Sequence, residues 1–221
     1  MTIKGVMDIN YHYGRKKRID YRYRLRRRTY EVIEVIKKFF TYPTNILDLG
    51  AADGLMLSKV KKQFPNSECL GIEYSSDLIA SNKDGKIKII QGDVQQLTFD
   101  DNSFDIIIAT AIIEHLAEPE KMIAEAYRVL KKEGLLIITT PNPFFEKIAG
   151  KIGGVPKEGH QTTFNLKKLN EIFTNNHFKV VLLKKFMLSP IGFPLEILIE
   201  KLLNTTGLNF TLLNQLIVGK K

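Results

Sequence analysis

An open α/β fold, with a mostly parallel sheet covered by helices on both faces, is what this sequence predicts. Three observations lead there. Short apolar runs of strand character alternate with helix-patterned runs along most of the 221 residues. The first such run, "ILDLG", passes through a turn of small residues straight into a helix-patterned segment. No internal repeat or low-complexity linker breaks the alternation. Strands separated by helices pair in parallel and need cover on both faces.

Taken in order, the first element is a basic arm. Residues 11–30, "YHYGRKKRIDYRYRLRRRTY", hold nine of the 33 Lys and Arg and one of the 24 Asp and Glu, so they carry +8 of the chain's net +9. Arginine interleaved with tyrosine suits a phosphorylated ligand, an anionic membrane surface or nucleic acid. From about residue 25, Leu25, Thr29, Val32, Ile33, Ile36, Phe39 and Phe40 recur at helical spacing, and Pro43 ends the pattern. The expected division is an arm with an amphipathic helix over 1–42 and a main domain over 43–221.

Within the main domain, "NILDLG" reads as a strand and "LMLSKVKKQF" as a helix ended by Pro65. "CLGIEY" is a strand, and "SSDLIASN" opens on a serine suited to cap a helix. "KIKIIQG" and "FDIIIAT" are strands; "PEKMIAEAYRVLKKEG" is a helix with proline in its first turn and glycine just past its end. "GLLIITT" is a strand, "NLKKLNEIFTNN" a helix, and "FKVVLLKKF" and "LNQLIVGKK" the closing strands. Between those two lies an insertion at about 188–210. On its helical wheel Leu195, Leu198, Ile199, Leu202 and Leu203 share one face, opposite Glu196, Glu200 and Asn204. The expectation is a helix with its apolar face on the core; a lid over an apolar acceptor and a membrane-contacting helix are the alternatives.

Composition narrows the class. At 44% hydrophobic and 26% charged, the chain has the make-up of a globular domain, and no apolar run nears the ~20 residues that cross a bilayer. A single cysteine, Cys69, excludes an internal disulfide. With no amino-terminal apolar leader either, the expected location is cytoplasmic, with peripheral membrane attachment left open. Cys69 falls in a strand, where an inert thiol is expected.

The turn after the first strand carries the chemistry. Small residues let a backbone approach a ligand closely, and the following helix offers unpaired N–H groups. A dinucleotide fingerprint starting at Gly50 would need glycine at 55, where Leu55 stands. The small residues fall instead at Gly50, Ala52 and Gly54, giving D-x-G-x-A-x-G from Asp48. This resembles motif I of the class I S-adenosylmethionine-dependent methyltransferases, with alanine for the middle glycine. The likeness extends through "GIEYS", "GDV", "LTFDDNSFDIIIATAIIEHL" and "AYRVLKKEGLLIITTPNP", which resemble a type 11 methyltransferase over residues 45 to about 145. Glu133 and Gly134 stand where that family usually has proline and glycine.

That resemblance implies a Rossmann-like sheet of seven strands in the order 3-2-1-4-5-7-6. It implies S-adenosylmethionine as cofactor and S-adenosylhomocysteine as product. Asp48, Gly50, Ala51, Ala52 and Gly54 would form the cofactor loop. Glu73 would accept from both ribose hydroxyls, as acids at this position do in dinucleotide folds. Tyr74, Asp93 at the adenine amino group, Val94 against the ring, and Thr110 after the fourth strand complete the set. Asp48 is expected to organise the loop through backbone N–H groups. Glu114 and His115 are expected as a satisfied pair at a helix start, and Asp100, Asp101 and Asp105 as a solvated turn running into a strand.

Methyl transfer to a hydroxyl benefits from a general base near neutrality, usually histidine. His160, in "PKEGHQTTF" after the fifth strand, and His115 are the candidates; His177 reads as a surface cap and His12 lies in the arm. The histidines are not at ligand spacing and Cys69 has no partner, so no metal is expected. The favoured function is O-methylation of a small-molecule, glycan or lipid acceptor. Rivals are an RNA or protein methyltransferase gripping through the arm, or an inactive cofactor-binding partner subunit. Nucleic acid is disfavoured because the rest of the chain is near neutral and no RNA module is visible.

Overall fold

The computed structural model describes residues 14, 17–145, 147 and 161–221. Seven strands form one sheet: β1 (Asn45–Leu49), β2 (Glu68–Glu73), β3 (Lys88–Gln91), β4 (Phe104–Thr110), β5 (Leu130–Pro141), β6 (Lys179–Phe186) and β7 (Asn214–Lys220). Their order is β3-β2-β1-β4-β5-β7-β6, as the resemblance implied. The first five pair in parallel, and β7 is antiparallel to both of its neighbours.

Side chains alternate across each strand, so each face of the sheet has its own core. Leu47, Leu49, Ile107 and Ile138 pack with helices α4 (Pro119–Val129) and α5 (Leu166–Asn175). Ile46, Ile106, Ile108 and Ile137 pack with α1 (Ile19–Phe39) and α2 (Leu55–Gln63). The short α3 (Ser76–Ala80) is capped as expected, the Ser75 hydroxyl accepting from Leu78 N–H. Among the described residues, no helix is long and apolar enough to cross a membrane.

Three expectations change. Helix α1 begins at Ile19, within the basic stretch, because Tyr23, Arg27 and Glu31 continue its buried face as far as Val35. Helix α4 ends at Val129, not at Gly134: buried Leu130 leaves it to pair with Phe104, and Lys131–Gly134 bulge out where the β4–β5 register shifts. In that bulge Glu133 takes a φ of +69°, and a Cβ on Gly134 would lie 2.8 Å from the Lys131 carbonyl.

The largest change concerns the insertion, whose helix α6 (Glu196–Thr205) is turned the opposite way from the expected packing. Glu196 and Glu200 are 3% and 5% exposed, whereas Leu195, Leu198 and Leu202 are 71%, 63% and 61% exposed. Polar partners on α1 account for it. The Glu200 carboxylate accepts from Arg27 (2.6 Å) and from Met187 N–H (2.9 Å). Glu196 accepts from the Tyr23 hydroxyl and from the N–H groups of Leu188 (2.7 Å) and Ser189 (2.9 Å). Glu31 pairs with Arg27 (3.2 Å) and with Lys184. Three carboxylates thus face two cations, and backbone N–H groups offset the excess negative charge. Gly192, at φ +78°, seals the joint: a Cβ there would lie 2.2 Å from the Tyr23 ring.

Candidate functional site

The carboxyl ends of β1 to β4 lie side by side. Leu49 is in register with Ile72 on one side and Ala109 on the other, so Gly50 emerges between Glu73 and Thr110. Gly50, Ala52 and Gly54 all take left-handed backbone, at φ +73°, +50° and +77°. A Cβ on Gly50 would lie 2.4 Å from Ile112 Cδ1, and one on Gly54 2.9 Å from Ile89 Cδ1. Only glycine meets both demands at Gly50.

Ala52 is the exception to the glycine pattern and holds a conformation that disfavours a side chain by about 1–2 kcal/mol. Ala52→Gly is therefore expected to raise stability by up to about 1 kcal/mol, part of the relief being offset by chain entropy. Thermal unfolding would show this as a midpoint about 2–4 °C higher.

The loop's amides are held by β2, not by Asp48. Gly50 N–H and Ala51 N–H both donate to the Ile72 carbonyl at 2.9 Å. Ala52 N–H donates to Glu73 Oε2 at 2.9 Å, and Ser75 N–H to Glu73 Oε1 at 2.9 Å. Ala51 is packed closely enough that a Cβ on Gly71 would lie 2.6 Å from its own. Glu73 thus ties the loop to β2, and each of its oxygens keeps a lone pair for a further donor.

Asp48 sits inside β1, in register with Gly71 and Ile108, and is buried. Burial, with the Glu73 charge adding, pushes its carboxyl up to about 8 from 3.8. A raised folded value means the folded state holds a proton that the unfolded chain has released. Stability is therefore expected to fall as pH rises from about 4 to about 8, and to change no further above that window on this account. Asp48→Asn imitates the protonated acid and should flatten the trend in urea midpoints measured between about pH 5 and about pH 9.

At the adenine end expected from the sequence, Tyr74 is exposed and its carbonyl accepts from Gln91 Nε2 at 3.0 Å. Asp93 is exposed, with Gln95 N–H donating to its Oδ1 at 2.8 Å. Val94 is buried in the core beside Ile72. Arg128 braces the following loop by donating to the Leu97 and Phe99 carbonyls (2.9 and 2.7 Å) while pairing with Glu125 and Asp101. Asp105 is not solvated: it accepts from Thr44 N–H, Thr44 Oγ1 and Asn45 N–H at 2.6–2.9 Å, fastening β1 to β4.

Thr110 ends β4, and its hydroxyl donates to Met56 Sδ at 3.5 Å. His115 is half-buried in a 3-10 turn (Ile113–His115) that follows. The buried carboxylate of Glu114 accepts from the Thr140 hydroxyl at 3.1 Å. His160 and His12 lie outside the described residues. His177 is exposed at the end of α5, in left-handed backbone, as a surface cap would be. Burial pushes the Cys69 thiol up to about 11, which makes it a poor nucleophile. Among the described residues, no group of three or more His, Cys, Asp and Glu could hold a metal ion.

Two clefts adjoin α1, and the smaller reaches the end of the loop. One, about 470 Å³, is lined by Leu55, the residue after Gly54, with Lys59, Arg22, Arg26 and Ile191. The other, about 780 Å³, lies between α1 and the insertion and is lined among others by Tyr23, Arg26, Tyr30, Phe193, Leu198 and Lys201. Tyr23, Arg26 and Ile191 belong to both. The sequence offers the basic arm and the insertion as ligand- or membrane-contacting segments, but not that they meet; the signal for that is the i, i+4 series Tyr23, Arg27, Glu31 facing the pair Glu196, Glu200.

Residues 47–138 match the family model described as a methyltransferase domain. Over those residues the chain matches the type 11 class of class I methyltransferases. Phosphoethanolamine N-methyltransferase 2 of Caenorhabditis elegans is 27% identical over 157 residues, 67% of this chain and 36% of that protein. Demethylmenaquinone methyltransferase of Thermotoga maritima is 32% identical over 126 residues, 55% of this chain and 53% of that one. The match thus spans about a third to a half of these relatives' own length. In fold, the chain superposes on a putative methyltransferase solved with the Haloferax volcanii Trm112 activator, at a TM-score of 0.67 and 17% identity, over 87% of both chains. S-adenosylmethionine is the methyl donor of this family, and the left-handed turn of small residues from Gly50 to Gly54 with the acid of Glu73 beside it fits that molecule.

Proposed function

We propose that this methyltransferase domain acts on an amphipathic acceptor, a small molecule, glycan or lipid that carries an anionic group, with oxygen as the receiving atom. The observation that carries this reading is the pair of clefts running from Leu55 to the insertion, with aromatic and aliphatic walls and cations at the rim. Among the described residues, no carboxylate pairs with Arg22, Arg26, Lys59 or Lys201, so their charge is available to a ligand.

The donor supplies a methyl group already activated on a sulfonium, so the protein's task is positioning and exclusion of water. Glu73 would hold the ribose, Asp93 and Val94 the adenine, and Gly50 would let the backbone lie against the remainder. Ile112, packed over Gly50, would keep water from the reacting side. For a hydroxyl acceptor, His115 or His160 would take the proton. Turnover of the natural acceptor that is unchanged in both His115→Ala and His160→Ala would remove that role.

The acceptor is identified by incubating the protein with radiolabelled S-adenosylmethionine and fractions of cell extract, then characterising the labelled product. An anionic amphiphile methylated on oxygen is expected; labelled RNA or protein would overturn the reading. Calorimetry tests the cofactor separately: S-adenosylhomocysteine should bind the wild type and not Glu73→Ala. Binding of NADH in its place would end the assignment.

A further inference from the structure

The acidic face of α6 is buried on α1 while Leu195, Leu198 and Leu202 point to water, the reverse of ordinary amphipathic packing. The acids are fully engaged, with Glu196 on Tyr23 and two N–H groups and Glu200 on Arg27 and a third. Rolling the helix over to bury its leucines would strand Arg27 against Glu31 alone and take the carboxylates away from three loop N–H groups, that of buried Met187 among them. The outward presentation is thus locked by polar bonds.

What surrounds the leucines is specific in chemistry. Ile191 and Phe193 continue the exposed apolar surface at one end of α6. At the other, a 3-10 turn (Asn209–Thr211) adds Phe210, whose ring meets exposed Phe144 edge-on at 6.5 Å. Arg26 and Lys201 line the same cleft as Leu195 and Leu198, while Arg22 and Lys59 line the neighbouring cleft with Ile19 and Ile191. These four basic side chains are exposed. Partial burial of its stem, with Arg26 and Lys62 adding, lowers the affinity of Lys59 for a proton. No basic residue besides Lys201 interrupts the leucine face between Leu195 and Leu208.

We propose that the outward face of α6, with the cationic rim it shares with α1, docks this protein on an anionic bilayer. The leucines and phenylalanines enter the boundary between headgroups and acyl chains, while Arg22, Arg26, Lys59 and Lys201 meet lipid phosphates. Charge decides for lipid over an apolar protein surface: a continuous aliphatic face rimmed by one sign of charge complements a sheet of phosphates above hydrocarbon. This goes beyond the acceptor reading, since docking needs neither cofactor nor turnover.

Co-sedimentation of the full chain with phosphatidylcholine vesicles, with and without phosphatidylglycerol, tests it. Binding is expected only to the anionic vesicles. The double variant Leu198→Asp, Leu202→Asp should lose at least about tenfold in vesicle affinity. Arg26→Ala and Lys201→Ala should each lose about fivefold, the equivalent of ~1 kcal/mol per basic residue. All these side chains are exposed, so the fold should persist, checked by circular dichroism and unchanged S-adenosylhomocysteine binding. Wild type that ignores anionic vesicles, or a leucine variant that binds them equally well, overturns the proposal. So does a concentration-dependent dimer that the leucine variant abolishes in place of vesicle binding. Loss of vesicle binding with the cofactor site intact supports docking even if the acceptor turns out to be water-soluble.

Discussion

Gly50→Val is expected to lower S-adenosylhomocysteine affinity about a hundredfold or more. Two effects combine. The new Cβ would lie 2.4 Å from Ile112 Cδ1, and a branched side chain would have to sit at φ +73°. Overpacking costs about 1–3 kcal/mol and left-handed backbone about 1–2 kcal/mol; the unliganded loop sheds that strain by moving away from Ile112, so binding has to restore it, and ~3 kcal/mol is a factor above a hundred. Calorimetry measures the affinity directly. Gly85→Val is the control: a Cβ there meets nothing within 4 Å, so the same substitution should leave binding unchanged. A Gly50→Val protein that binds with wild-type affinity would mean that the cofactor does not lie against this turn.

Arg27→Ala should be the most destabilising single change between α1 and the insertion. It leaves the buried carboxylates of Glu200 and Glu31 without their shared cation, and losses of this kind run to about 3–5 kcal/mol. For a chain of this size that is a fall in midpoint of roughly 6–20 °C. Glu200→Gln should cost less, since an amide oxygen can still accept from Met187 N–H or Arg27 while one buried charge is removed. Thermal unfolding followed by circular dichroism ranks the two. If they prove equally mild, α6 is held chiefly by something other than its acids.

The two sites differ in how far the sequence alone reached. Around Gly50 the information is local. Asp48 to Gly54 are consecutive, and Glu73 follows at the end of the next strand. The register of parallel strands joined by helices then brings these residues to one edge without further choice. Glu73's grip on Ala52 N–H was not foreseen, and neither was the proton that burial keeps on Asp48, because both depend on neighbours across β2.

By itself, then, the sequence determined the α/β sheet and the small-residue turn after β1, since alternating periodicity and a short run of small residues encode them locally; the strand order came from the family resemblance. Tertiary structure alone decided which face of α6 is buried. A helical wheel ranks faces by transfer from water and assumes that carboxylates stay wet. Here Tyr23 and Arg27, each 173 residues from its acid, and three backbone N–H groups in the preceding loop satisfy Glu196 and Glu200 inside the protein. Once those bonds form, the leucines have nowhere to go but outward, and the surface they make exists only in the folded chain.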